Sequence, residues 1–295
     1  MKFSISTIVL VAASSVAALP ARRDGPSDTD ILNYALTLEH LENAFYKGAL
    51  EKFDANAFKK AGFKPFVRGR FQQIADHEAT HVQFLSGALG DKATKPCTYK
   101  FPYTDPKSFA ALSMALEGVG VSAYLGAAKF ISNKDYLTAA AAVLTTESRH
   151  SAWVSSSVNM GAPWSGAFDT PLSLNQVYSL AAAFITDCPS SNPSLPVKAF
   201  PALTVSTASY KAGDTISVSF DSSMAKGKDT FMAFFTGLST EFASIKDGQV
   251  TIPKDLMGTV YGVVTTDGKA VTDDNTVAGP AILMFPFGSS VRQQT

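Results

Sequence analysis

Apolar residues in the first two thirds of the chain follow the spacing of amphipathic helices. Between residues 28 and 188 they recur every three or four positions, which places them along one face of a helix. Ser27 or Asp28 suits the start of the first helix, and Gly90 suits the end of the second. The pattern predicts four long helices and a shorter fifth, at about 28–50, 65–89, 107–131, 134–160 and 173–186.

The period changes after Cys188. Residues 189–200 contain three prolines and read as a linker. Asp247-Gly248 and Asp267-Gly268 are typical of hairpin turns. Short β-rich runs follow the linker at 203–206, 215–220, 231–236, 250–252, 258–265 and 281–285. We therefore expect a mainly α helical bundle over 28–188, followed by a small all-β sandwich-like domain over 201–295, which serves as a packing module or, alternatively, as a ligand-binding surface.

Two Glu-x-x-His units lie on the predicted second and fourth helices. They are Glu78 with His81 and Glu147 with His150. Residues three apart lie about 60° apart around a helix, so each pair shares one face. Both pairs fall within an apolar stripe, which predicts that they point into the bundle.

The predicted first and third helices carry a second matching pattern. Glu39 is followed seven residues later by Tyr46, and Glu117 by Tyr124, which puts each pair within about 20° on one helix face. The tyrosines either hydrogen-bond to the carboxylates and orient them or take a direct redox role. Glu42 lies about 60° from Glu39 and is an alternative ligand, an outer acid or a partner for a basic residue.

Four inward carboxylates would repel one another and would each cost several kcal/mol to bury uncompensated. Two divalent cations would balance the four charges, and two imidazoles would add ligands without adding charge. The pattern therefore predicts a dinuclear Fe or Mn site, although Zn is not excluded by ligand type. The predicted ligands are Glu39, Glu78, His81, Glu117, Glu147 and His150.

With these residues the chain resembles the ferritin-like superfamily over 28–188. The segments 31–46 and 261–281 further resemble secreted fungal ferritin-like proteins of the stress-response or late sexual development type, which are kin to plant desiccation-related proteins. The resemblance implies a four-helix fold and a metal site at the six positions, without a settled activity.

The sequence His77-Glu-Ala-Thr-His81 also fits the zinc-protease motif His-Glu-x-x-His. That interpretation needs a third ligand, and it leaves Glu39, Glu117 and the second Glu-x-x-His unit unexplained. We expect His77 and His40 to be surface or inter-helix histidines instead.

The N-terminus has the pattern of a signal peptide over residues 1–18, with a short pro-segment over 19–27 and a dibasic pair at Arg22-Arg23. It predicts a secreted protein, extracellular or in the cell wall. In that compartment Cys97 and Cys188, the chain's two cysteines, are expected to form a disulfide, the alternative being two free buried thiols. No other segment is expected to span a membrane.

Twenty-five basic and twenty-five acidic residues leave a formal net charge of zero, which argues against nucleic acid or an anionic membrane as partner. The expected partners are metal ions and small molecules, O2 or peroxide. Three function classes follow: a di-metal oxidoreductase, a non-enzymatic protective protein with a structural metal site, and the zinc protease.

Overall fold

A computed structural model describes residues 25–291, and the predicted signal peptide and most of the predicted pro-segment lie outside them. Ser27 caps the first helix by accepting from the Asp30 amide, while the Asp30 carboxylate accepts from the Ser27 amide. The helices are α1 (Asp28–Lys52), α2 (Ala55–Lys60), α3 (Phe66–Leu89), α4 (Pro106–Ala128), α5 (Lys134–Trp153) and α6 (Leu174–Ala182). The short α2 was not predicted.

Two predicted helices end differently from expectation. The fourth is α-helical to Trp153 and then closes with a π-helical turn over Val154–Val158. The fifth was expected to reach Thr186 but ends at Ala182, and Ile185–Asp187 form a strand instead. This strand, β2, pairs with β1 (Thr98–Tyr99) in the segment between α3 and α4, so pairing overrides the helical pattern there.

The disulfide between Cys97 and Cys188 lies beside this two-stranded sheet and confirms the predicted pair. It ties the α3–α4 connection to the end of the helical region. In the bundle, α1 packs against α3 and α4 packs against α5, while α6 lies against α4.

The C-terminal region is built from two small sheets that share one core. One sheet has the order β3-β4-β7 and the other the order β6-β5-β8-β9. Ile216 and Val250 of the first sheet pack in the same buried cluster as Phe234 and Leu283 of the second. The strands are β3 (Thr204–Val205), β4 (Thr215–Ser219), β5 (Phe231–Thr236), β6 (Ser239–Ser244), β7 (Gln249–Thr251), β8 (Gly258–Thr265) and β9 (Thr276–Phe285).

Three details differ from the predicted strands. The edge strand β6 was missed because its residues lack a clear apolar alternation. Strand β9 begins at Thr276, five residues before the predicted Ala281, and continues through Gly279-Pro280. Asp267-Gly268 lies in the long connection between β8 and β9 and does not form a tight hairpin turn. Asp247-Gly248 forms the expected tight turn, with positive φ at both residues.

The β region packs directly on the bundle. The Tyr261 hydroxyl on β8 donates to the Gly118 carbonyl (3.0 Å) and accepts from the Ser122 hydroxyl (3.1 Å), both on α4.

Helix α4 is also long and apolar enough to span a membrane, with a mean hydropathy of 1.3, contrary to the expectation that no such segment remained. That window is 67% buried inside the protein, as is typical of a central helix in a bundle.

Candidate metal centre

Six side chains from four helices converge inside the bundle. Five of them are buried, and the sixth, His81, has only 12% of its side chain exposed. They form two groups of four, and within each group the ligand atoms lie within 4.8 Å of one another. The groups are Glu39, Glu78, His81 and Glu147, and Glu78, Glu117, Glu147 and His150. All six side chains predicted from the sequence are thus brought together.

The first group is centred on His81. Its Nδ1 lies 3.2 Å from Glu39 Oε2, 3.3 Å from Glu78 Oε2 and 3.3 Å from Glu147 Oε1. Three carboxylate oxygens from three helices therefore surround one imidazole nitrogen.

The second group repeats this arrangement around His150. Its Nδ1 lies 3.1 Å from Glu117 Oε2, 3.4 Å from Glu78 Oε1 and 3.9 Å from Glu147 Oε1. Glu78 directs one oxygen to each imidazole, and Glu147 is shared as well. The two groups are therefore adjacent positions joined by two carboxylates.

This geometry fits a pair of cations better than a hydrogen-bond network. An imidazole nitrogen carries at most one proton and cannot satisfy three oxygens. Glu78 Oε1 and both oxygens of Glu147 are buried without a hydrogen-bond partner, although such groups are costly to leave unpaired. Ligands about 2.0–2.2 Å from a common ion stand roughly 3–3.5 Å apart. Five of the six nitrogen–oxygen distances given above lie in this range, and the sixth, from His150 to Glu147, is 3.9 Å.

The protein alone disfavours charge at these carboxylates. Burial raises the pKa of Glu78 and Glu147 well above its usual value, and the neighbouring carboxylates raise it further. A nearby cation would act in the opposite direction, because it favours the ionised form. A bound cation would therefore offset the cost of ionising these buried carboxylates.

Two buried tyrosines donate hydrogen bonds to Glu39 and Glu117, the two terminal carboxylates, each of which belongs to one group only. Each tyrosine binds the carboxylate of the other helix. Tyr46 of α1 donates to Glu117 Oε1 of α4. Tyr124 of α4 donates to Glu39 Oε1 of α1, at 2.5 Å. Each tyrosine also has a pKa raised by burial and by the carboxylate it faces, which keeps its hydroxyl protonated as a donor.

Glu42 belongs to neither group of four but lies beside both. It is buried, and its pKa is raised by burial and by the charges of Glu39 and Glu117. A Cβ added at Gly120 of α4 would stand 3.1 Å from Glu42 Oε1 and 3.3 Å from Glu147 Oε2. The lack of a side chain at Gly120 thus lets the fifth carboxylate reach the edge of the cluster.

The two histidines of the protease motif do not converge on one cation position. Among the described residues, no group of three or more candidate ligands includes His77. Its Nδ1 instead lies 2.9 Å from Nε2 of His150, on the side away from the carboxylates. His40 is also separate, with its Nε2 3.1 Å from the Thr94 carbonyl, where it fixes the connection between α3 and α4 to α1.

The comparisons with known proteins agree with this architecture. Residues 27–160 match the family model of the ferritin-like domain. This part of the chain is therefore similar to a ferritin-like domain, and the predicted order, a ferritin-like helical region followed by a β-rich region, is confirmed.

A specific relative is the protein rds1 of the fission yeast Schizosaccharomyces pombe (strain 972). The two chains are 30% identical over 179 residues, which cover 60% of this chain and 44% of rds1. The matched region is less than half of the relative's length. The similarity supports the predicted resemblance to fungal ferritin-like proteins.

Proposed function

We propose that the protein is an oxidoreductase that binds two Fe or Mn ions in the cluster and reacts with O2 or peroxide. The observation that carries the proposal is the pair of four-residue groups sharing Glu78 and Glu147, with three buried oxygens that have no hydrogen-bond partner. A bound pair of redox-active ions would supply electron transfer to O2 or peroxide. Oxidation of Fe(II) and breakdown of peroxide are the two reactions to test.

The protein's own residues have distinct roles in this proposal. Glu39 and Glu117 each contact one histidine and would serve one ion each, whereas Glu78 and Glu147 lie between the groups. Four ionised carboxylates match the charge of two divalent ions, which removes the repulsion described above. The two tyrosines keep the terminal carboxylates in place by donating to their outer oxygens.

We also propose that the protein is secreted and acts outside the cell or in the cell wall, in a stress-related role. The apolar N-terminal segment and the disulfide between Cys97 and Cys188 support an oxidising compartment. A stress-related role is supported by the resemblance to fungal proteins of that type.

Metal analysis of the purified protein tests the proposal. We expect about two Fe or Mn per chain, as two four-ligand groups require. The double substitution Glu147→Ala with His150→Ala should abolish the paired site and its absorption spectrum. The control, His77→Ala, should keep both ions at saturating metal, because His77 touches only the outer nitrogen of His150.

The outcomes separate the competing functions. One Zn per chain, lost in His77→Ala and kept in the double variant, would contradict the proposal and support the protease. Two ions that stabilise the protein without oxidising Fe(II) or consuming peroxide would contradict the proposed activity and leave a structural metal site.

A further inference from the structure

A cavity of about 430 Å³ lies between the bundle and the β region, next to the metal centre. Its walls come from α1, α4, α6, the linker and β9, which are elements far apart in the sequence. The volume is in the range of small-molecule sites, about 300–1,000 Å³. Its lining includes none of the six candidate ligands and neither of their tyrosine partners.

The cavity runs from an exposed mouth to a buried floor. Ala183, Ala199 and Ala202 line it and are exposed, whereas Glu42 and Gly120 line it and are buried. Gly120 also borders Glu147, whose Oε2 would be only 3.3 Å from a Cβ at that position. The floor of the cavity is therefore the outer edge of the candidate metal centre.

The chemistry of the walls narrows the ligand class. Of the described residues that line the cavity, Glu42 alone has an ionisable side chain, and nearly all the others are apolar. Ser179 is already engaged, because its hydroxyl donates to the Asn175 carbonyl (2.6 Å) and accepts from the Phe200 amide (2.8 Å). An anionic ligand would find no positive partner and would lose its hydration in an apolar site, which is unfavourable.

Small side chains keep this space open. Ala115 of α4 and Ala181–Ala183 at the end of α6 stand where larger apolar residues would fill the gap. Unfilled apolar space destabilises a protein, and interiors are otherwise close-packed. An open cavity that ends at a buried carboxylate is thus a feature of a binding site.

We propose that this cavity binds a neutral organic molecule with a hydrophobic body and one hydroxyl group, a phenol or an alcohol, whose hydroxyl donates to Glu42. The hydrophobic body replaces water along the apolar walls, and the hydroxyl donates to a side-chain oxygen of Glu42 at the floor. The inference rests on the proposed function in taking the metal centre as the destination of the ligand, but the binding itself requires no metal.

Titration calorimetry of the full chain after metal removal tests the proposal, with 4-butylphenol and 4-butylbenzoate as probes of matched shape. We expect 4-butylphenol to bind once per chain and the benzoate to bind at least about tenfold more weakly, because its charge would enter an apolar cavity without a positive partner. Equal binding of both probes, tighter binding of the benzoate, or no binding of the phenol would overturn the proposal.

Two pairs of variants locate the site. Ala115→Phe fills the cavity and should weaken phenol binding at least about tenfold, whereas Ala111→Phe, at an exposed position of α4 outside the cavity, should not. Glu42→Leu should weaken phenol binding at least about tenfold, because Leu offers no acceptor, and Glu42→Gln should retain phenol binding, because the amide oxygen still accepts. Unchanged phenol binding in Ala115→Phe or in Glu42→Leu would refute the assignment.

The metal content of the same preparations is measured separately, before the metal is removed. Phenol binding without metal binding would contradict the proposed function and leave the cavity assignment intact. Two ions per chain without phenol binding would contradict the cavity assignment and leave the proposed metal binding intact.

Discussion

Substitution of Glu147 by Gln should have opposite effects on the metal-free and the metal-loaded protein. Glu147 is fully buried, neither of its oxygens has a hydrogen-bond partner, and burial and the other carboxylates raise its pKa above the ordinary value of 4.5. Without metal the folded protein therefore favours the neutral acid at this position more than the unfolded chain does. Gln has the shape of the neutral acid and avoids this cost.

The magnitude follows from proton linkage. A carboxyl with a raised folded pKa contributes its full stability below the unfolded pKa and loses it as pH rises through the folded pKa. Between the ordinary pKa of 4.5 and pH 7, each pH unit at which the folded carboxyl stays protonated costs about 1.4 kcal/mol. Metal-free Glu147→Gln should therefore be more stable than the wild type by about 1–3 kcal/mol at pH 7 and should match it near pH 4.5.

In the presence of metal the order reverses. Glu147 belongs to both four-residue groups, so a loss of affinity of about a hundredfold for each of two ions would remove about 5 kcal/mol of metal-induced stabilisation at saturating metal. This loss exceeds the gain of the metal-free variant. The assay is urea unfolding followed by circular dichroism, with and without chelator, at pH 4.5 and pH 7, with Glu51→Gln as an exposed control on α1. An effect of the same sign in both metal states would show that Glu147 acts through packing alone, and it would refute the electrostatic reasoning.

Two further predictions concern the scaffold. Gly126→Ala should destabilise the protein by about 3 kcal/mol in urea unfolding, because the added Cβ would collide with the Leu172 backbone. Gly118→Ala should be neutral or stabilising by up to about 1 kcal/mol, because a Cβ at that position would meet nothing closer than 3.8 Å. Similar unfolding midpoints for the two variants would contradict this packing. Replacing Cys97 and Cys188 with Ser should cost about 4–5 kcal/mol, since the bond closes a loop with a sequence separation of 91, and an unchanged thermal midpoint would contradict that estimate.

The helices and the six polar positions could be predicted because both depend on local spacing. A three-residue step fixes Glu78 and His81 on one face of α3 wherever that helix lies in the fold. The apolar residues around them then show that this face is turned inward. Burial of Glu78 in the structure agrees with that expectation.

Contacts between helices were less predictable, because spacing within one helix does not identify the neighbour across the core. The seven-residue step put Glu39 and Tyr46 on the same face of α1, yet Tyr46 donates to Glu117 and Glu39 accepts from Tyr124. The exchange follows from the packing of α1 beside α4. The contact of His77 with His150 was missed for the same reason, since 73 residues separate them.

The cavity depends on such long-range contacts even more strongly. It lies where α1 and α4 are covered by α6, the linker and β9, and the positions of these elements depend on the pairing of β1 with β2 and on the contact of Tyr261 with α4. In the sequence, Gly120 and the alanines of α6 only indicate close helix packing. In the structure they leave space, and that space leads to Glu42. The β region thus completes the wall of a cavity beside the candidate metal centre, in addition to packing on the bundle.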